Sequence, residues 1–187
     1  MDALELLKKK EFLGREFLTW LWFKIDSTGG EFLLPGGAMI RMWVGNRVML
    51  VSDPDSVDAS VVCWSEDAGL REARFALAEG KKIGEARLHY EADGEEWAFT
   101  LEAARLDLKS LKTPSTKRED GEDDAEPLAL LLEKILLVQR AFNALDGLAR
   151  LFINSRASER WADDEMPALT AWVAAGSRAK DVSGGVR

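Results

Sequence analysis

The side chains able to do chemistry are few and widely spaced in this 187-residue chain. His89 is its one histidine and Cys63 its one cysteine, so these two residue types supply neither a zinc ligand cluster nor an internal disulfide. A Ser/His/Asp relay would have to use His89, and no Gly-x-Ser-x-Gly elbow accompanies it. Cys63 lies in the apolar string ASVVCW, where cysteine acts as a small buried hydrophobe with its thiol protonated. Gly29-Gly30 and Gly36-Gly37 open no strand-to-helix phosphate loop and are assigned to turns. Glu95-Glu96 abuts a turn, and EDGEDDAE at 119–126 has the composition of a solvated linker, so general acid/base or magnesium chemistry is not indicated. Neither catalysis nor a cofactor is expected.

Basic groups are the remaining polar signal. Lys8, Lys9 and Lys10 with Arg15, Lys81 with Lys82, and Lys109 with Lys112 form short clusters that would meet phosphates if the fold joined them on one face. The net charge is −8, and removing the six acids of 119–126 from it leaves −2, so the acidity is local. One contiguous basic face holding Lys8, Lys81 and Lys109 would point to DNA; scattered lysines would point to a role among proteins.

The elements that must carry these groups follow from hydrophobic periodicity. Apolar residues of 2–25, from Leu4 to Trp20 and Leu21, recur at mostly three- and four-residue steps, predicting a helix closed by Gly29-Gly30. From Ile40 the period falls to two. AMIRMWV and RVMLVS flank Gly45-Asn46, predicting a type II′ hairpin that pairs Ile40 with Val51 and Met42 with Met49. Residues 57–64 form another expected strand, and 66–79 a short helix with Ser65 as N-cap and Gly80 as C-cap. Asp93-Gly94 predicts a type I′ turn opposing Tyr90 with Trp97, Leu88 with Phe99 and Ala86 with Leu101 on an apolar face. His89 then points to solvent on the wet face.

After the linker, Leu128, Leu131, Ile135, Val138, Phe142, Leu145, Ala149 and Phe152 alternate steps of three and four, an uninterrupted heptad seam. Leu132, Leu137, Ala141, Ala144, Leu148 and Leu151 widen the apolar surface beyond a two-stranded seam, as in a helical hairpin or dimer core. Pro167 and Gly176 bound a short terminal helix. The expected fold is therefore α+β: an N-terminal helix, an antiparallel sheet of about five or six strands with one inserted helix, a long C-terminal helix and a short terminal helix. The expected organisation is 1–112 as helix plus sheet, 113–126 as acidic linker, 127–176 as helices packing on the same domain or on a dimer mate, and 177–187 as a flexible tail. A homodimer with a cyclic two-fold interface is expected through the long helix, with Leu128, Leu131, Ile135, Val138, Phe142, Leu145 and Phe152 as its residues and Ile135 and Phe142 central.

Several stretches resemble a known family: FLGREFLTWLWFK (12–24), LREARFALAEGKKIGEARL (70–88), EWAFTLEA (96–103), LKSLKTP (108–114) and LLEKILLVQRAFNALDGLARLF (131–152). They are similar to the RdgC-like recombination-associated proteins of deltaproteobacterial type, over most of residues 12–172. The resemblance implies a non-enzymatic bacterial protein that associates with DNA without sequence preference, in its better-known members as a dimeric ring on duplex DNA. Full RdgC proteins are considerably longer, and this chain resembles a C-terminal portion or a separately encoded companion. The matching strings are mostly apolar and aromatic, which speaks for a shared core, and no family functional residue transfers to a numbered position. The exonuclease label attached to the family finds no carboxylate and metal arrangement here. The expected function is a DNA-associated recombination accessory, with DNA and a separate RdgC-type protein as partners. The alternative is an acidic assembly module that partners an RdgC-type DNA binder without touching DNA. With no secretory signal pattern and no apolar run of membrane-spanning length, the expected location is cytoplasmic, at the nucleoid if DNA is bound.

Overall fold

The computed structural model describes residues 11–52, 61–64, 71–115 and 127–178. The chain is α+β, and among the described residues six strands form one antiparallel sheet. Helix α1 (Glu11–Thr28) leads into β1 (Glu31–Leu33), β2 (Met39–Val51) and β3 (Val61–Trp64). Then come α2 (Arg71–Ala78), β4 (Lys82–Ala92), β5 (Glu95–Glu102) and β6 (Asp107–Lys112). The long helix α3 (Pro127–Ala157), a π-helical turn (Trp161–Glu165) and α4 (Met166–Arg178) complete it. The sheet runs β1-β2-β4-β5-β6, with β3 pairing the far half of β2. Residues 2–10 of the expected first helix, 57–60 of the expected strand, the expected cap Ser65 with 66–70 of the expected helix, 116–126 of the acidic linker and 179–187 of the tail lie outside the described residues, whereas Ser177 and Arg178, expected in the flexible tail, end α4.

The hairpin around Asp93-Gly94 forms with the expected register, because both turn residues take positive φ, 53° and 76°, as a type I′ turn requires. The expected hairpin at Gly45-Asn46 does not form. Gly45 has no positive φ, and β2 continues as one strand that pairs with β4 along most of its length. Ile40 instead meets Phe32, and Met42 meets Tyr90. The ladder slips between Val44 and Val48, so residues 45–47 form a bulge. Glycine is needed there because a Cβ would sit 2.8 Å from Arg87 Cγ and 3.0 Å from His89 Nε2.

One sheet face carries the core. Met42, Val44, Leu50, Ile83, Leu88, Tyr90, Phe99 and Leu101 are buried there under α1, α2 and α3. Tyr90 stacks on Trp97 with centroids 4.8 Å apart, and the Trp97 indole N–H donates to the Leu137 carbonyl at 3.1 Å, tying α3 to the sheet. Phe152 fills the space between Phe17, Trp20 and Trp161, with centroid distances of 5.6, 5.4 and 5.9 Å.

Gly176 lies inside α4, where the sequence suggested it would follow the helix. A Cβ at this position would come 2.6 Å from the Arg74 carbonyl, so the missing side chain is what lets α4 approach α2. Arg74 completes that junction by donating to the Trp172 carbonyl at 3.1 Å, while its guanidinium lies 4.8 Å from the Trp172 ring. Among the described residues, no helix is long and apolar enough to cross a membrane.

Candidate interaction surfaces

Helix α3 has two apolar faces, and the one turned to the core is not the heptad seam. Its buried residues are Leu137, Ala141, Ala144 and Leu148, four of the six that widened the seam, and Phe152, the seam's last member; of the other two, Leu151 is partly buried and Leu132 is exposed. The cause is size. Ala141, Ala144 and Gly147 let the helix axis come close to its neighbours, and a Cβ on Gly147 would already touch Leu34 at 3.3 Å. A seam of Leu, Ile and Phe would hold the helix further out and leave the Trp97 indole without its carbonyl.

The seam therefore faces away. Leu128, Leu131, Leu132, Ile135 and Phe142 are each about half exposed, between 49% and 60%, and Val138 is exposed at its margin. At 100° per residue Ile135 marks the middle of this outward arc, with the buried residues roughly opposite. Two of the expected interface residues are not on it. Leu145 is partly buried against the core, and Phe152 is 2% exposed inside it. Beside Val138 and Lys134, the chain leaving β6 forms an open cleft of about 470 Å³, lined also by Leu111, Thr113, Pro114 and Ser115.

The second surface is the sheet face opposite the core. The Trp43 and His89 rings, cross-strand neighbours on β2 and β4, stack at 5.4 Å and 19°. His89 Nδ1 lies 2.9 Å from Glu96 Oε1, so this half-buried histidine is held by two partners on a face expected to be plainly wet. Ala98 and Thr100, expected on that wet face, are buried. Arg87 lies across from Thr100, donating to its hydroxyl at 3.5 Å and to the Ser110 carbonyl at 3.1 Å. Arg47 pairs with Glu85 at 3.2 Å, and Lys109 with Glu85 at 3.6 Å and Glu102 at 2.7 Å. Hydrogen bonding to Lys109 holds the Glu102 carboxyl below its ordinary pKa, and the same bond raises that of Lys109.

Within the described residues, the expected basic groups sit on several elements. Arg15 is half-buried on α1, in the helical layer. Lys81 donates to the Ser52 hydroxyl at 2.8 Å, and Lys82 begins β4 beside Val51. Lys109 and Lys112 are on β6, the latter opposite Ala98. Lys8, Lys9 and Lys10 lie outside the described residues. The site reading missed Trp43, which meets His89 only because β2 pairs with β4. Cys63 is buried on β3 opposite Val48, and burial, with Glu72 nearby, pushes its thiol pKa up. Among the described residues no group of His, Cys, Asp and Glu is placed to hold a metal ion. No family model, curated protein or solved structure matches the chain.

Proposed function

We propose that this chain is a non-enzymatic accessory module of the RdgC-like recombination kind, and that it works by associating with another protein through the outward face of α3. The observation that carries this reading is a helix apolar on both sides, of which the fold buries only one. A helix apolar all round belongs in an interior, and a contiguous exposed stripe of large apolar residues marks an interaction site. The spread of the described basic groups over several elements supports the same reading, as does the pairing of Lys109 with Glu85 and Glu102. Its partners are a second copy of the chain and a separately encoded RdgC-type protein that makes the DNA contact. The test is a titration of the fluorescently labelled chain with a purified RdgC-type DNA-binding protein, comparing the native chain with an Ile135→Glu/Phe142→Glu variant. Binding by the native chain alone, with helical circular dichroism equal in the two, is expected. Equal binding by both, or none by either, would overturn it.

A second reading, direct and sequence-independent DNA binding, is favoured by Trp43 on the sheet face opposite the core, near Arg41, Arg87 and His89. Aromatic rings on an open sheet stack on unpaired bases while guanidinium groups meet phosphates. Band-shift titrations against duplex and single-stranded DNA at two salt concentrations test it. Binding that falls steeply with salt and weakens in Trp43→Ala would support it, and no shift at low salt would reject it.

A further inference from the structure

We infer that the cleft between the exit of β6 and α3 is a docking site for an extended acidic peptide of a partner protein, which seats a large apolar side chain on Leu111 and Val138 and gives a neighbouring carboxylate to Lys134. The inference rests on the reading that this helix carries an association surface, and adds the chemistry of the occupant. Shape and charge carry it.

The apolar wall is built by a local irregularity of the sheet. Leu108 and Leu111 are three residues apart, a spacing that in a regular strand puts two side chains on opposite faces. From the Thr100–Lys109 pair to the Ala98–Lys112 pair, however, two steps on β5 match three on β6, and Ser110 takes a positive φ of 51° inside this bulge. Both leucines therefore turn to the core side, where they are partly buried, and the Arg87 guanidinium pins the bulge by donating to the Ser110 carbonyl at 3.1 Å. Past Lys112 the chain leaves the sheet as Thr113-Pro114-Ser115, which faces Lys134 and Val138 of α3 across the cleft. The space is about 470 Å³, within the range of small-ligand sites. One turn of helix, about 10 Å across and 5.4 Å long, already fills roughly 420 Å³, so the cleft suits a few residues of extended chain and excludes a helix of useful length.

The charge is one-sided. The lining holds the Lys134 ammonium and the hydroxyls of Thr113 and Ser115, and no carboxylate. The residues three and four positions from Lys134 along α3 are Leu130, Leu131, Leu137 and Val138, so the helix itself supplies no counter-charge. Lys24, Arg47, Lys109, Arg140 and Arg156 each meet a carboxylate of this acidic chain, whereas among the described residues Lys134 meets none. A lysine at the rim of an apolar recess, with two hydroxyl donors beside it, matches a carboxylate next to a large apolar side chain.

Selection of a phage-displayed library of short random peptides on the native chain, followed by fluorescence anisotropy of the labelled consensus peptide, tests it. The enriched peptides should carry Asp or Glu beside Leu, Ile, Phe or Trp, and binding should weaken roughly tenfold or more in Lys134→Glu, with circular dichroism unchanged because Lys134 is exposed. Changing the peptide's acid to Lys should restore binding to Lys134→Glu. No enrichment, enriched peptides without an acid, or equal binding by the native chain and Lys134→Glu would overturn the site. The Ile135→Glu/Phe142→Glu variant, whose changes lie outside the cleft, should keep the peptide, so failure of the association reading and failure of this site show in different variants.

Discussion

Replacing Leu by Ala at 148 and at 131 makes the same chemical change twice in one helix, so helix propensity cancels and the difference reports which face is buried. Leu148 is 1% exposed and packs in the core, whereas Leu131 is 53% exposed on the outward arc. Truncating a fully buried leucine costs the transfer of the lost methyl groups and the cavity left behind, about 3 kcal/mol within a range of roughly 2–5. Truncating a half-exposed one removes about half of the transfer contribution and leaves no cavity, so about 1 kcal/mol or less in a monomer. For a domain of this size each kcal/mol lowers the midpoint by roughly 2–4 °C, which predicts a loss of roughly 6–12 °C for Leu148→Ala and at most about 4 °C for Leu131→Ala. Thermal unfolding should be followed by circular dichroism at submicromolar concentration, so that association contributes little, and repeated at high concentration. There the native chain should gain stability with concentration and Leu131→Ala should gain less. Equal losses for the two variants at low concentration, or a larger loss at 131, would refute the assignment of the two faces.

Gly176→Ala should lower the urea midpoint, because the added Cβ would press on the Arg74 carbonyl at 2.6 Å and overpacking of about 1–3 kcal/mol outweighs the ~1 kcal/mol gain in helix propensity; an unchanged or higher midpoint would show that α4 can shift. Cys63 should react with a thiol reagent only as fast as the chain unfolds, since it is buried and its thiol pKa is raised, and rapid labelling under native conditions would contradict this. The Glu102 carboxyl should titrate below the ordinary value of 4.5 by nuclear magnetic resonance, and Lys109→Ala should move it up. Because its folded pKa is depressed, the stability linked to Glu102 is present above 4.5 and lost as pH falls through the folded pKa; an unmoved midpoint in the variant would remove Lys109 as the cause.

What could be read from the sequence was local. The Asp93-Gly94 hairpin was legible because a two-residue turn of the right chemistry fixes the register of everything beside it. The same logic misled at Gly45-Asn46, where the glycine serves close approach of the Arg87 and His89 side chains, a requirement set by a strand far away in the chain. For α3, periodicity located the helix and its apolar seam but not which apolar face would turn inward. That choice depends on the small residues Ala141, Ala144 and Gly147 and on the Trp97 indole, a tertiary contact with no trace in the heptad pattern. The outward seam was legible as an apolar stripe, whereas the Trp43 and His89 stack was not legible at all, because cross-strand neighbours are defined only once the pairing is known.

The most direct measurement of the central claim, that the outward face of α3 is a working association surface, is the sedimentation velocity of the native chain and of its Ile135→Glu/Phe142→Glu variant from submicromolar to tens of micromolar concentration. The native chain should move from 20.8 kDa toward twice that mass as concentration rises, and the variant should stay at 20.8 kDa with unchanged helical circular dichroism. A native chain that remains at 20.8 kDa throughout, or a variant that associates as the native chain does, would contradict the account.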